Sequence, residues 1–340
     1  MTAEPPNESG SSFRLTVLNP GGRDPHEDFS AGAGSPNDKG HAPVNFHGYA
    51  ACTRGVFHRE TKAAIAEGLP VLLLLRGDFH ETREALRQLQ SAGLTTAVSL
   101  KETGLHQIAR QLSDPKRAAL FREITGAANG FLAATSETAQ LCAGGTFFPT
   151  PYPIADALWD FSRPLPERAG IFIGTREWDV PSRHHFAAFS LALQLGGPAT
   201  VFDEKPRRAR KLWESLGGDT GKLRTLEKRL PYRDYLAEIA RHRLVLQLDK
   251  SAVPGQVAGD ALLCRVPCVG GDGAIDRLGF PDTNGFGRSL GELKELANQL
   301  LRDDTFYQKI VNDSQREAIA RVGFEAVAKQ LAKFYAALAR

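Results

Sequence analysis

The chain has 340 residues, 42% hydrophobic and 24% charged, with a formal net charge of +3. That length suits two domains of roughly 150 residues rather than one core. So small a net charge supplies no global field that would demand nucleic acid as a partner. The longest apolar run, Leu69 to Leu75, falls far short of the roughly 20 residues that a membrane-spanning helix needs. Residues 1–12 are polar and lack the apolar stretch of a signal peptide, which reads as a disordered tail on a cytoplasmic protein. The four cysteines make no Cys-x-x-Cys pair and have no accompanying histidine cluster, which speaks against disulfides and zinc.

In chain order, Phe13 to Leu18 reads as a strand that stops at Asn19-Pro20-Gly21-Gly22. A polar segment rich in Gly, Asp and Pro runs on to about Pro43, a length that implies either function or disorder. Phe57 to Glu67 has a helical pattern and leads into a buried strand in "LPVLLLLRGDF". A helix over Glu81 to Ala92 precedes the strand "LTTAVSL", which ends near Lys101. Two helices joined at Asp114-Pro115, the strand "FLAAT", and a strand and turn in "FFPTPYP" follow. The stretch "DFSRPLPERAG" shifts toward proline and charge and marks a boundary between domains at 13–158 and 159–312. The alternation then restarts with "IFIGT", a helix over Ser182 to Leu195, the strand "ATVFD" and a helix over Lys205 to Leu216. A helix opened by Pro231, the strand "RLVLQLD", a short helix over Gln256 to Leu263 and the strand "VPCVG" complete it. Leu290 to Arg340 is helical, with residues 313–340 read as a helix that crosses back to the first domain. Alternating strands and helices mean an α/β fold: two Rossmann-like, doubly wound domains facing a cleft.

Four segments of the second half carry a resemblance. They are "IFIGTRE" with an Arg-bearing helix after it, "RDYLAEIARHRLVLQLDKS", "GDALLCRVPCVGG", and "DTNGFG" followed by "LGELKELANQLLRDDTFYQKI". In this order they resemble the carboxyl-terminal domain of GT-B glycosyltransferases, especially the retaining group 1 family. "FFPTPYPI" sits where that family has its Ile-Pro-Asn-Pro connection. The resemblance implies transfer of a sugar from a nucleotide diphosphate-sugar donor to an acceptor of unknown identity. It implies no cofactor or metal beyond that donor substrate. The carboxyl domain would hold the donor and the amino domain the acceptor. Asp260 falls on the acidic position that holds the donor ribose, with helix capping as its alternative reading. Gly255 opens the short helix whose amino end points at the donor, where partial positive charge and free N–H groups suit phosphate. Of the family's two glutamates, the earlier falls on Ala252, so that carboxylate is missing unless Asp249 substitutes. Arg265 stands where the family prefers glycine. A non-catalytic sugar-nucleotide binding or scaffold protein on the same fold is the alternative.

Arg176 ends the "IFIGT" strand and Arg183 begins the helix after it; both read either as facing the cleft, where a departing diphosphate gains charge that an arginine fork can hold, or as solvated arginines. After the third strand Lys101, Glu102 and His106 compete. Glu102 is read as general base or as a helix-starting acid, and Lys101 as a phosphate contact. Gly22, in the loop after the first strand, lets backbone amides approach phosphate or acceptor, or belongs to a flexible surface loop. His184 and His185 read as helix-surface residues. No Asp-x-Asp pair occurs, against a metal-bound diphosphate site. The basic run "KPRRARK" is either a solvated helix face or a contact for anionic lipid heads. "RGD" at 76 to 78 reads as a strand-end turn.

Overall fold

A computed structural model describes residues 13–142, 144–175 and 177–339. The expectations for residues 1–12 and for Arg176 therefore lie outside the described residues. In the first half, the strands are β1 (Thr16–Leu18), β2 (Glu27–Asp28), β3 (Val56–His58), β4 (Val71–Leu75), β5 (Thr96–Leu100), β6 (Gly130–Ala133) and β7 (Gly145–Phe147). They form one sheet in the order β2-β3-β1-β4-β5-β6-β7, parallel except for β2. The central strand β4 is Val-Leu-Leu-Leu-Leu, buried throughout, because helices cover both faces of a parallel sheet. The helices here are α1 (Asn45–Cys52), α2 (Thr61–Glu67), α3 (His80–Ser91), α4 (Leu105–Leu112), α5 (Pro115–Ala127) and α6 (Ser136–Leu141).

The second sheet runs β10-β9-β8-β11-β12, all parallel. Its strands are β8 (Ile171–Ile173), β9 (Ala199–Phe202), β10 (Leu223–Leu226), β11 (Leu244–Leu246) and β12 (Cys268–Val269). Between them lie α7 (His185–Leu195), α8 (Pro206–Ser215), α9 (Tyr232–Ile239) and α10 (Gln256–Leu263). Beyond β12 come α11 (Ala274–Gly279), α12 (Leu290–Arg302), α13 (Asp304–Arg321) and α14 (Phe324–Leu338).

Two Rossmann-like layers are thus present, with three departures from the periodicity. Phe57 belongs to strand β3, not to a helix, because Val56-Phe57-His58 pairs in register with Thr16-Val17-Leu18. The polar segment after β1 contributes β2 and then α1, whose buried face carries Phe46 and Tyr49. Ser182 does not start α7: a 3-10 turn, Pro181–Arg183, precedes it and His184 turns the chain at φ 50°.

The last helix lies on the first sheet. Val327, Leu331 and Tyr335 of α14 are buried with Leu15, Val17 and Leu72. The Tyr335 hydroxyl donates to the Val71 carbonyl at 2.9 Å. The connection between domains also crosses α10, where the Tyr152 ring covers Gly259 so closely that a Cβ there would collide. Tyr152 donates to the Gln256 carbonyl at 3.2 Å. Leu331→Ala, a truncation in a site with no exposed surface, is expected to cost about 2–5 kcal/mol, read by urea denaturation. A loss under ~1 kcal/mol would mean that α14 detaches freely.

Candidate functional site

In each sheet the strand order reverses beside the first strand, and loops leaving the carboxyl ends there diverge to open a crevice. In the second domain that reversal falls between β8 and β11. The segments following these strands, Gly174-Thr175 and Gln247 to Asp249, line a cavity of about 290 Å³. Lys101, Glu102, Thr103 and Gly104, after β5, close it from the first domain, and Val253 to Val257 close it at the start of α10. A second chamber of about 330 Å³ adjoins it and shares Asn45 and Gln256. Its walls carry Phe202 and Leu226 at the ends of β9 and β10, Arg229, Leu230, Tyr232 and Tyr235, and His41 and Val44 from the first domain.

The chamber's first-domain wall is the outer ring of a stack. His41 lies 3.8 Å from His47, which lies 3.7 Å from Phe57, nearly parallel in both steps. Burial holds the His47 imidazole down at about 3, so it is neutral at ordinary pH.

Gly255 is where the sequence placed it, before α10, at φ 88° and in the cavity wall. A Cβ at Gly255 would lie 2.7 Å from Asp276 Oδ2. Asp276, which the sequence reading did not single out, is fully enclosed. Gln247 Nε2 donates to its Oδ1 at 2.8 Å and the Gly273 N–H to its Oδ2 at 3.2 Å. The backbone N–H groups of Ala274 and Ile275 bond the carbonyls of Val253 and Pro254, so the start of α11 fixes the segment leading into α10. Burial pushes the Asp276 carboxyl up from 3.8 to about 6, with the Asp249 charge adding to it and the Gln247 bond opposing it.

Arg183 lines the cavity, in the turn before α7 rather than in the helix. Its guanidinium is gripped by Asp249 and Glu177 together. Asp249 is buried, and its Oδ1 also accepts the Ser251 N–H at 2.8 Å. Glu177 reaches the first domain through Gln107, at 3.4 Å, and His106, at 4.0 Å. Thr175 Oγ1 and Arg183 Nε are buried with no hydrogen-bond partner among the described residues. Ala252 adopts φ 47° and offers no carboxylate, leaving Asp249 and Glu177 as the acids on this side of the cavity.

Lys101 and Glu102 both line the cavity. Lys101 binds Asp24 at 2.6 Å and lies 5.3 Å above the Phe46 ring, so it fastens the glycine-bearing loop to β5. Glu102 is exposed in the loop, and because α4 starts at Leu105 it does not begin a helix. Gly22 is not in the cavity wall. Its N–H donates to the Asn19 carbonyl at 3.0 Å, and it forms the tight turn after β1. Asp260 departs from the expected direct ribose contact. It has no exposed surface, and its Oδ1 accepts the Tyr232 hydroxyl at 2.6 Å, so Tyr232 and not Asp260 faces the chamber. Nothing in α10 turns this side chain outward, because position 260 lies on the helix face packed into the core.

His185 is likewise not a surface residue. It is buried and stacks on Trp178 at 4.2 Å; burial holds its imidazole down at about 4, with Arg208 and Arg183 adding to it. Within the basic run, Arg208 binds buried Asp203 at 2.8 Å and covers Trp178, while Arg210 lies 3.8 Å from Glu227. "RGD" forms a turn, with Asp78 accepting the His80 N–H at 3.1 Å. Among the described residues no group of three or more His, Cys, Asp or Glu is placed to hold a metal ion, and no helix is long and apolar enough to cross a membrane.

Solved structures match this arrangement over nearly its whole length. Anabaena HepE in complex with UDP and glucose is 12% identical, with 96% of this chain and 100% of that chain covered and a TM-score of 0.61. The chain has the GT-B fold. A glycosyltransferase from Rickettsia africae is 8% identical over 97% of this chain and 99% of its own, with a TM-score of 0.55. The pneumococcal O-GlcNAc transferase GtfA in complex with UDP and GlcNAc is 11% identical, over 88% and 63%, with a TM-score of 0.53. No family profile and no curated protein sequence matches the chain.

Asp276 makes stability depend on pH. The unfolded carboxyl loses its proton near 3.8 and the folded one near 6, so the folded state binds more protons between those values. Its unfolding free energy is expected to fall by roughly 3 kcal/mol more than that of Asp276→Asn as pH rises from about 4 to about 7. Urea denaturation across pH reads this, and parallel profiles for the two proteins would refute it.

Proposed function

We propose that the chain is a glycosyltransferase that moves a sugar from a nucleotide diphosphate-sugar to an acceptor. The observation that carries this reading is the pair of joined cavities at the carboxyl ends of the second sheet: one walled by Tyr232, Tyr235 and His41, the other at the strand reversal and headed by the amino end of α10. The first suits a nucleoside, with the base against Tyr232, Leu226 and His41. The second suits the diphosphate and sugar. The UDP complexes of HepE and GtfA support a uridine nucleotide as the donor.

In this reaction the bond between the anomeric carbon and the diphosphate oxygen breaks, and its electron pair leaves with the diphosphate. The developing charge is met by Arg183, Lys101 and the first N–H groups of α10, which together replace the neutralising role a metal ion would otherwise take. The acceptor oxygen forms the new bond and gives up its proton, with Glu102 as the base. Retention at the anomeric carbon rests on the resemblance to group 1 enzymes. Asp260 acts through Tyr232, holding its hydroxyl in one direction at the chamber wall. Arg183 must exchange at least one of its two carboxylate partners for the diphosphate. That exchange, with Ala252 in place of an acid, favours as a second reading a protein that binds the donor without transferring it; release of UDP from UDP-glucose separates the two.

UDP without added magnesium is expected to raise the melting temperature by about 5 °C at a hundredfold excess over its Kd. No shift with any nucleoside diphosphate would refute the donor reading. Arg183→Ala is expected to weaken UDP binding by about 10- to 100-fold and uridine binding by less than about threefold. Titration calorimetry reads both, and equal losses would place Arg183 away from the phosphates.

A further inference from the structure

Three glycines surround the Asp276 carboxylate. A Cβ on Gly271 would collide with Oδ1, and Cβ atoms on Gly255 and Gly273 would each stand 2.7 Å from Oδ2. The carboxylate therefore lies directly behind the residue that opens α10, separated from the cavity by one backbone segment. An ionised carboxylate in that place faces the same helix end that a diphosphate would approach from the front. Two anions then share one positive pole, and because Asp276 is buried their repulsion is only partly screened.

We propose that Asp276 is a positioning residue for the donor: its carboxyl sets the potential at the amino end of α10, and a diphosphate binds there together with one proton taken up by that carboxyl. This rests on the donor reading given above. The other groups facing Asp276 reinforce the coupling. Asp249 is the neighbouring carboxylate and is itself paired with Arg183. Cys268 Sγ, whose thiol burial keeps protonated, lies 3.8 Å from Oδ1. Gln247 supplies the amide donor. Asp272, just before α11, and Arg277 on it bind each other at 2.6 Å, and Arg277 also binds Glu137 at 2.6 Å. The α10 side presents the Gly255 backbone, which carries no titratable group. A carboxyl that titrates at about 6 can change its proton content near neutral pH, as the coupling needs.

The probe is UDP-glucose, whose phosphodiester oxygens do not titrate between pH 5.5 and 7.5, with uridine as the control. For the unmodified chain, affinity for UDP-glucose is expected to fall about tenfold across that range. Calorimetry in buffers of different ionisation enthalpy should show proton uptake on binding, and uridine affinity should stay flat. Asp276→Asn is expected to bind UDP-glucose with a flat profile and no proton uptake on this account. Gln247→Leu, which removes the bond favouring the ionised form, should move the midpoint of the profile to higher pH. It carries the test alone if Asp276→Asn does not fold. Profiles that are the same in the unmodified chain and the variants, with UDP-glucose still bound, overturn the role of Asp276 and leave the donor reading standing. Absence of UDP-glucose binding at every pH overturns both.

Discussion

The cavity depends on a backbone approach that side chains would forbid. The segment Val253 to Gly255 is pressed against the first turn of α11, and the hydrogen bonds from Ala274 and Ile275 hold it there. Between the two lies the Asp276 carboxylate, and the residues against it at 255, 271 and 273 are glycine. This junction sets the direction of α10, and through α10 the position of Tyr152, which packs on Gly259 and bonds Gln256. Tyr152 in turn belongs to the connection between domains. One packing constraint inside the second domain thus fixes both the floor of the cavity and the seat of the first domain beside it.

The interface between the domains combines an apolar contact, in which Val44 and Tyr152 pack with Ala258 and Ala261, with a few directional polar ones. Trp159 Nε1 donates to the Gly34 carbonyl at 3.1 Å, Glu137 binds Arg277 at 2.6 Å, and Glu177 reaches toward His106 and Gln107. The α14 helix works against separation, because it is buried on the first sheet while α13, directly before it, packs on α11.

The charge balance of the cavity is the least expected feature. Lys101 and Glu102 line the cavity from the first domain and Arg183, Glu177 and Asp249 from the second, and each cation already has an acidic partner. The Arg183–Asp249 pair is the buried one, and it resists exchange because an abandoned buried charge costs several kcal/mol, whereas Glu177 and the Lys101–Asp24 pair are partly exposed. A phosphate arriving at Arg183 must therefore release Glu177 toward the exposed side or share the guanidinium with Asp249.

Read alone, the sequence determined the alternation of strands and helices, the two α/β layers and the short helix behind Gly255. Those features rest on local periodicity and turn chemistry, and the continuous apolar runs of β4 and β11 carry them plainly. It also exposed the odd residue at 265. Arg265 adopts φ 48°, a conformation that glycine takes without strain, which is why glycine is preferred there in the enzymes it resembles. Tertiary structure alone decided which polar residues meet. Asp276 is an ordinary helix-start acid by spacing, and only the approach of Gly255, Gly271 and Gln247 encloses it. Asp260 has the right type and position in the motif, but the packing of α10 turns it inward to Tyr232. The His41-His47-Phe57 stack joins residues from a loop, a helix and a strand, an arrangement that no local pattern encodes. Burial and cross-domain contact are sums over distant segments, and a one-dimensional pattern fixes the elements without fixing those sums.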